Sequence, residues 1–291
     1  TGLDTTALLM GKASMDALSR RISSARGVEK TNHSGGIWVN ALYRYDKIDT
    51  GLYSGARGNI KGIQAGGEWR GAGDESGAAI GAFVDYINAN MDQAAGASEA
   101  DTESDGLGLY ASVTTGNWYA DAVFRHSRED YQVLVPGTPE FSTTGHSRAV
   151  SAELGYLISG RENVVPFVQV VWQDHDIEDE SDSFGRAYQI SGANSVEVRA
   201  GARTVHEFSF WENCRGFFYA RAAILYECKA KSRVRVGDYV FDSDLAGVGG
   251  MVELGMSLQF GKHMHIGLSG AAELCEQRKG YAANLTIGCT W

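Results

Sequence analysis

The run most like a nucleophile turn is Gly73-Asp74-Glu75-Ser76-Gly77, a serine between glycines with a glutamate beside it. A serine nucleophile needs a base on its hydroxyl and an acid that orients the base. The seven histidines are scattered, so a glycine turn between two strands explains the run more economically, and no catalytic residue is expected. Two acidic runs, Glu99 to Asp105 and Asp176 to Asp182, concentrate carboxylates that could draw a divalent cation. Neither carries the glycine that lets an EF-hand loop fold around its ion. They read as solvated loop charge, and neither a metal nor any other cofactor is expected. The cysteines Cys214, Cys228, Cys275 and Cys289 lack the CxxC spacing of zinc or redox sites. Cys214 and Cys228 lie near opposite ends of one extended segment, over roughly 40 Å apart, and cannot bridge. Cys228 and Cys275 lie at the same end of their segments and could form a disulfide in an oxidising compartment.

What remains is electrostatic. Lys12, Arg20, Arg21 and Arg26 lie in a segment with a helical apolar stripe, while Glu68, Asp85, Glu153, Glu197 and Glu253 each occupy the polar phase of an alternating run. Such opposite charges invite pairing if the fold brings them together, because an unpaired charge in a water-poor interior costs several kcal/mol.

The elements that would do so are of two kinds. Over residues 5–26, Leu8, Met15, Leu18, Ile22 and Ala25 recur at helical spacing, Leu9, Ala13 and Ala17 widen the stripe, and Gly27 can stop it. The helix would be roughly 30 Å long. With Lys12, Asp16, Arg20 and Arg21 in its middle, it cannot face lipid. From residue 36 onward the period becomes two. Ile63, Ala65, Gly67 and Trp69 oppose Gln64, Gly66, Glu68 and Arg70; Val150, Ala152, Leu154 and Tyr156 oppose Ser151, Glu153 and Gly155. Val196, Val198, Ala200 and Ala202 oppose Glu197, Arg199, Gly201 and Arg203, and Val252, Leu254, Met256 and Leu258 oppose Glu253, Gly255, Ser257 and Gln259.

A soluble sandwich also alternates, so the decision rests on other features. About twelve such segments follow one another, near 36–47, 58–70, 77–90, 104–115, 117–130, 146–159, 163–175, 193–205, 215–228, 247–260, 263–274 and 279–291; an even count suits a single-chain membrane barrel. Short connections at 71–76, 115–117, 159–163 and 261–262 alternate with long ones near 91–103, 131–145, 176–192 and 229–246, the rhythm of periplasmic turns and extracellular loops. Aromatics gather at segment ends. Trp69, Trp118, Phe217, Phe218, Phe260 and Trp291 lie by the short turns, and Tyr43, Tyr45, Tyr86, Trp172, Tyr226 and Tyr281 by the long loops, which makes two interfacial girdles.

Composition agrees. Proline occurs only 3 times against 37 glycines, and mean hydropathy is −0.23, with no stretch near the roughly 20 apolar residues of a spanning helix. The formal charge of −10 and the absence of a basic stripe argue against nucleic acid as a partner. The opening Thr1-Gly2-Leu3-Asp4 lacks the regions of a signal peptide, which fits an export signal on an upstream portion and would equally fit a cytosolic origin.

The chain ends Tyr281-Ala282-Ala283-Asn284-Leu285-Thr286-Ile287-Gly288-Cys289-Thr290-Trp291, with Tyr281, Leu285, Ile287 and Trp291 on one face. This is similar to the C-terminal assembly signal of outer-membrane proteins, with Cys289 standing where many place an aromatic or aliphatic residue. Over nearly its whole length the chain resembles the translocator β-domain of monomeric (type V) autotransporters. The resemblance is carried by Leu18 to Arg26 for the pore helix, Gly36-Ile37-Trp38-Val39 and Gly62 to Glu68 for the first two strands, Gly108 to Ala111 with Asn117 to Asp121, and Glu153 to Tyr156 with Pro166 to Gln169.

The resemblance implies an all-β fold, a twelve-stranded antiparallel transmembrane barrel (36–291) with a pore helix and linker (1–35). It implies export and anchoring of the protein's own N-terminal passenger at the cell surface, insertion by the barrel-assembly machinery, contact with outer-membrane lipid and lipopolysaccharide, and a monomeric, non-enzymatic unit. Members that cut their passenger inside the barrel do so near an asparagine pair, which this helix lacks; its first asparagine is Asn32. Some of the helix cations Lys12, Arg20, Arg21 and Arg26 are expected to pair with the lumen-facing wall carboxylates Glu68, Asp85, Glu153, Glu197 and Glu253, plugging the pore after export. The competing readings are a diffusion pore or selective channel, and a barrel that binds ligands through its acidic loops.

Overall fold

The structure is a computed structural model, and it describes residues 2–28, 34–49, 55–72, 76–93, 99–134, 141–158, 163–178, 180–181, 187–211, 214–236, 239–261 and 263–291. Pro136, Pro139 and the turn residues Gly73, Asp74 and Glu75 lie outside them. Gly2–Val28 forms α1, with Asp4 in its first turn where the helix dipole favours a carboxylate. At 27 residues it is about 40 Å long. It runs through Gly27 rather than stopping there, since a glycine near a helix end costs only about 1 kcal/mol.

Among the described residues fourteen strands follow: β1 (Gly35–Ile48), β2 (Ala56–Ala72), β3 (Ser76–Gln93), β4 (Glu99–Thr115), β5 (Trp118–Leu134), β6 (Phe141–Tyr156), β7 (Asn163–Ile177), β8 (Glu180–Ser181), β9 (Ala187–Trp211), β10 (Cys214–Val236), β11 (Tyr239–Asp244), β12 (Gly247–Phe260), β13 (Met264–Cys275) and β14 (Arg278–Thr290). β8 and β11 are short strands that pair with the loop ends of β9 and β10, continuing β7 and β12 there. The other twelve form a closed antiparallel barrel. β1 closes it by pairing with β2 on one side and with β14 on the other, Ile37 opposite Cys289 and Tyr45 opposite Tyr281. The closure is locked at the chain end, where the Trp291 carbonyl accepts from Ser34 N at 2.8 Å and Trp291 N donates to Gly35 O at 3.0 Å. Gly116, with φ of 53°, makes the two-residue turn between β4 and β5, a conformation glycine reaches without strain.

The strands are longer than a bilayer requires. A 17-residue strand such as β4 extends about 56 Å along its path. Tilted, it rises about 40 Å, beyond the roughly 25 Å apolar band of an outer-membrane barrel. The excess lies at the loop end and inverts the sequence pattern. Within the band, Val252 and Leu254 face out while Glu253 faces in. Above it, Glu99, Asp101, Glu103 and Asp105 of β4 face out, and Ala100, Thr102 and Ser104 face in. The first acidic run is therefore strand rather than loop. In β3 likewise, Asn90 is exposed while Ile87, Ala89 and Met91 are buried. The barrel thus continues past the apolar band as a sleeve whose outer face is polar.

Both girdles are present, with Trp69, Trp118, Phe218, Phe260 and Trp291 exposed near the turns, and Tyr43, Tyr86, Trp172, Tyr226 and Tyr281 exposed toward the loops. Phe217 is a correction. It is 2% exposed and points inward, because it shares the parity of Tyr219 and Arg221 rather than that of Phe218. On the last strand Tyr281, Leu285, Ile287 and Trp291 all face out, as does Cys289. The disulfide between Cys228 and Cys275 is not formed, and all four cysteines are free thiols. Cys228 is exposed at a register shift between β9 and β10. Cys275 packs inward against a cluster of Phe167, Ala223, Leu225 and Met251, so the two face different surroundings.

Candidate functional site

α1 lies inside the barrel and is buried along Asp4 to Leu18 and Arg20 to Ser23. Gly11 lies against β7, where the end of the Gln173 side chain occupies the space that a Cβ would take. One side of the helix is held by apolar packing. Leu9, Met10, Ala13 and Ala17 meet Leu42, Ile48, Ile60, Ile87, Ala89 and Met91 from β1, β2 and β3. Met15, Leu18 and Ile22 meet Trp38, Phe83, Tyr110, Val123 and Ala149.

The other side is held by charge. Lys12 Nζ donates to Glu197 Oε1 at 2.7 Å and lies 3.6 Å from Glu273. Asp16 accepts from Arg199 at 2.6 Å and sits 3.7 Å from Arg44. Arg44 and Arg278 in turn bind Glu273, each at 3.1 Å, and Arg44 also binds Asp46 at 2.6 Å. Four cations (Lys12, Arg44, Arg199 and Arg278) thus interleave with four carboxylates (Asp16, Asp46, Glu197 and Glu273), a neutral cluster that burial can tolerate.

Nearer the turn end, Arg20 binds Glu253 at 3.1 Å and Asn284 Oδ1 at 2.6 Å. Arg21 makes a two-pronged pair with Glu68, both bonds 2.5 Å, beneath the Trp38 ring 4.8 Å away. Such fork-to-fork pairing uses the planar geometry that lysine lacks. Arg203 donates to the Ser23 carbonyl at 3.2 Å, supplying a cation and a donor near the helix C-terminus.

The wall adds a recurring unit. Tyr110, Tyr119 and Tyr219 lie over Gly81, Gly155 and Gly255 on the adjacent strand, and their hydroxyls donate to Glu68, Glu153 and Glu253 at 2.7, 2.8 and 2.8 Å. Each tyrosine thus helps aim a carboxylate, two of them (Glu68 and Glu253) at the helix.

Of the residues singled out from sequence, Lys12, Arg20 and Arg21 meet Glu197, Glu253 and Glu68. The other two wall carboxylates, Asp85 and Glu153, also face the lumen but meet wall cations. Asp85 pairs with the wall cation Arg125 at 2.8 Å and accepts only a hydroxyl, that of Ser14, from the helix. Glu153 pairs with Arg221 at 2.8 Å. Arg125 reaches Asp85 from β5, one strand beyond its neighbour β4, and Arg221 reaches Glu153 from β10, with β7 and β9 between, so both pairs cross the lumen face of the wall. The Arg26 side chain lies outside the described residues. Sequence reading missed Asp16, Arg44, Arg199, Glu273 and Arg278 as one cluster, and missed the three tyrosines. Their inward parity was the available signal.

Folding also assembles a serine, a histidine and a carboxylate. Ser147 Oγ lies 2.7 Å from His175 Nδ1, Tyr131 Oη is 3.0 Å from Nε2, and Glu129 Oε2 is 3.8 Å from Nδ1. A relay needs acid and nucleophile on opposite ring nitrogens; here both address Nδ1, and all four residues are buried. The set ties β5, β6 and β7 together. Among the described residues no group of three side chains is arranged to hold a metal.

The family model for the autotransporter β-domain matches residues 37–271. No curated protein is detectably similar in sequence. Three solved structures share the architecture. The translocator domain of NalP from Neisseria meningitidis superposes with a TM-score of 0.71 at 12% identity, over 97% of each chain. The β-domain of BrkA from Bordetella gives 0.70 at 13%, covering 89% of this chain and 100% of its own. The transport unit of AIDA-I from Escherichia coli gives 0.67 at 15%, covering 96% and 98%.

Proposed function

The chain belongs to the autotransporter β-domain family, and from that premise we propose that it exports a passenger from its N-terminal side and then holds its own pore shut with α1. As a member it is an outer-membrane translocator domain, and the family implies a secreted N-terminal passenger. In this reading residues 1–35 are the plug and linker, and 36–291 the translocator unit. The turn end faces the periplasm and the sleeve projects outside, with α1 carrying the chain outward to the passenger that it anchors. The unit works as a monomer without catalysis, is inserted by the barrel-assembly machinery through its last strand, and sits among outer-membrane lipids that include lipopolysaccharide.

The observation that carries the plug is the set of helix-to-wall ion pairs, Lys12–Glu197, Arg20–Glu253 and Arg21–Glu68. A diffusion pore would have its lumen open to solute; here buried helix side chains occupy it. Single-channel recording in planar bilayers tests this. The 291-residue chain should conduct weakly, and deletion of residues 1–30 should raise conductance at least about ten-fold, since α1 fills a core about 10 Å across. Equal, high conductance from both would favour the diffusion-pore reading.

A further inference from the structure

Formal charge in this chain is −10, yet on the outer surface three cations stand abreast at the seam where the barrel closes. Lys47 of β1 lies opposite Lys279 of β14 on one side and opposite Arg57 of β2 on the other. All three are exposed. Directly opposed like charges in a sheet have their Cβ atoms only about 5 Å apart and are destabilising. Little in the fold offsets this. Arg57 approaches Asp92 at 4.0 Å with side chains 69% and 49% exposed, a contact of small value in water. Asp49 and Glu276 are the other carboxylates near these strand ends. Farther along the sheet the outer face turns acidic, with Asp92, Glu99, Asp101, Glu103 and Asp105, so the cations are segregated rather than mixed.

Depth supplies the second part of the argument. Next down the same strands, Tyr281 lies opposite Tyr45, with Tyr43 one outward position further along β1. Below these, Leu285, Ile287, Val39, Ile37 and Ile63 are exposed in the apolar band. Tyrosines of this kind mark the headgroup level. The cationic row therefore stands just above acyl-chain depth, where long side chains extend toward the interface and where lipid phosphates lie.

We infer that Lys279, Lys47 and Arg57 form a binding site for the phosphate groups of an outer-leaflet lipid headgroup, that of lipid A in lipopolysaccharide. The site deepens, and rests on, the reading of the barrel as embedded among such lipids. A doubly phosphorylated headgroup presents anionic groups that could neutralise neighbouring members of the row, turning a repulsive arrangement into a ligand site.

The test uses the full 291-residue chain in detergent, titrated with bisphosphorylated lipid A, with dephosphorylated lipid A and with phosphatidylcholine, the bound lipid being counted by native mass spectrometry. For K47Q/R57Q/K279Q, affinity for the phosphorylated lipid should fall about five-fold per cation removed. Replacement of two exposed arginines outside the row, Arg128→Gln and Arg148→Gln, should leave affinity unchanged, as should both sets of changes leave the heat-induced gel shift that reports a folded barrel. If the triple variant binds phosphorylated lipid A as the parent does, the site is wrong while the lipid partner stands. Equal binding of phosphorylated and dephosphorylated lipid would overturn phosphate recognition. Should the parent prefer phosphatidylcholine, the lipid reading itself fails, whereas surface display of a passenger would still test translocation separately.

Discussion

At the level of Leu254 and Glu253 the wall puts its leucine outside and its carboxylate inside, whereas at the level of Asp92 and Met91 it does the reverse. The same sheet passes from one arrangement to the other without a break in hydrogen bonding, because strand pairing is indifferent to which face is greasy. Each face follows its solvent. In the band, acyl chains outside favour apolar residues, and the lumen holds charges that must be paired. In the sleeve, water outside favours Asn and Asp, and α1 inside offers Leu9, Met10 and Ala13 to be covered. The helix is thus gripped by packing on one side and by ions on the other, and the two grips should fail differently.

The largest expected effect is at the ionic grip. Glu68→Ala removes the partner of Arg21, Arg70 and Tyr110 at once, leaving buried donors uncompensated at about 3–5 kcal/mol. Denaturant titration of the detergent-refolded barrel should show the loss as a lower midpoint. An unchanged midpoint would mean that water reaches Arg21.

Next is the apolar grip. Ile87, fully buried behind the helix, should cost about 2–5 kcal/mol when cut to alanine, while Ile80→Ala, exposed in the band, should cost less because lipid refills the gap. Equal costs at the two isoleucines would erase the distinction between band and sleeve. The outer faces discriminate as well. Leu254→Arg should cost about 2–4 kcal/mol near mid-membrane, measured as folding equilibrium into vesicles. Smallest is Asn90→Leu, a change within about 0.5 kcal/mol on the sleeve's wet face, read by the same titration; a loss comparable to Leu254→Arg would place Asn90 in lipid.

Much of this was legible in the residues. Runs such as Val252 to Gln259 announce a strand and name its two faces, since side chains alternate strictly along a pleated backbone. The paired counts of short and long connections, and the aromatic ends Trp69, Trp118 and Trp291, placed the membrane. The sleeve was less legible. Glu99 to Asp105 looks like loop because consecutive carboxylates and small polar residues lack an apolar phase, yet β3 and β5 on either side carry it as strand. Phe217 was misassigned because two adjacent aromatics cannot both face out, and the sequence does not say which turns in.

In the apolar band, strand identity and facing needed little beyond local order, for period and solvent preference act between neighbours in the chain, whereas closure pairs β1 with β14 across the whole sequence. The pairings inside the lumen are another matter. Lys12 finds Glu197 across 185 residues and Arg20 finds Glu253 across 233. Which carboxylate each reaches depends on the rotation and depth of α1 within the barrel, and Asp85 and Glu153 pair with the wall cations Arg125 and Arg221 instead. Charge attraction is nearly blind to direction along the chain, so its partners were chosen by proximity once the barrel had closed around the helix.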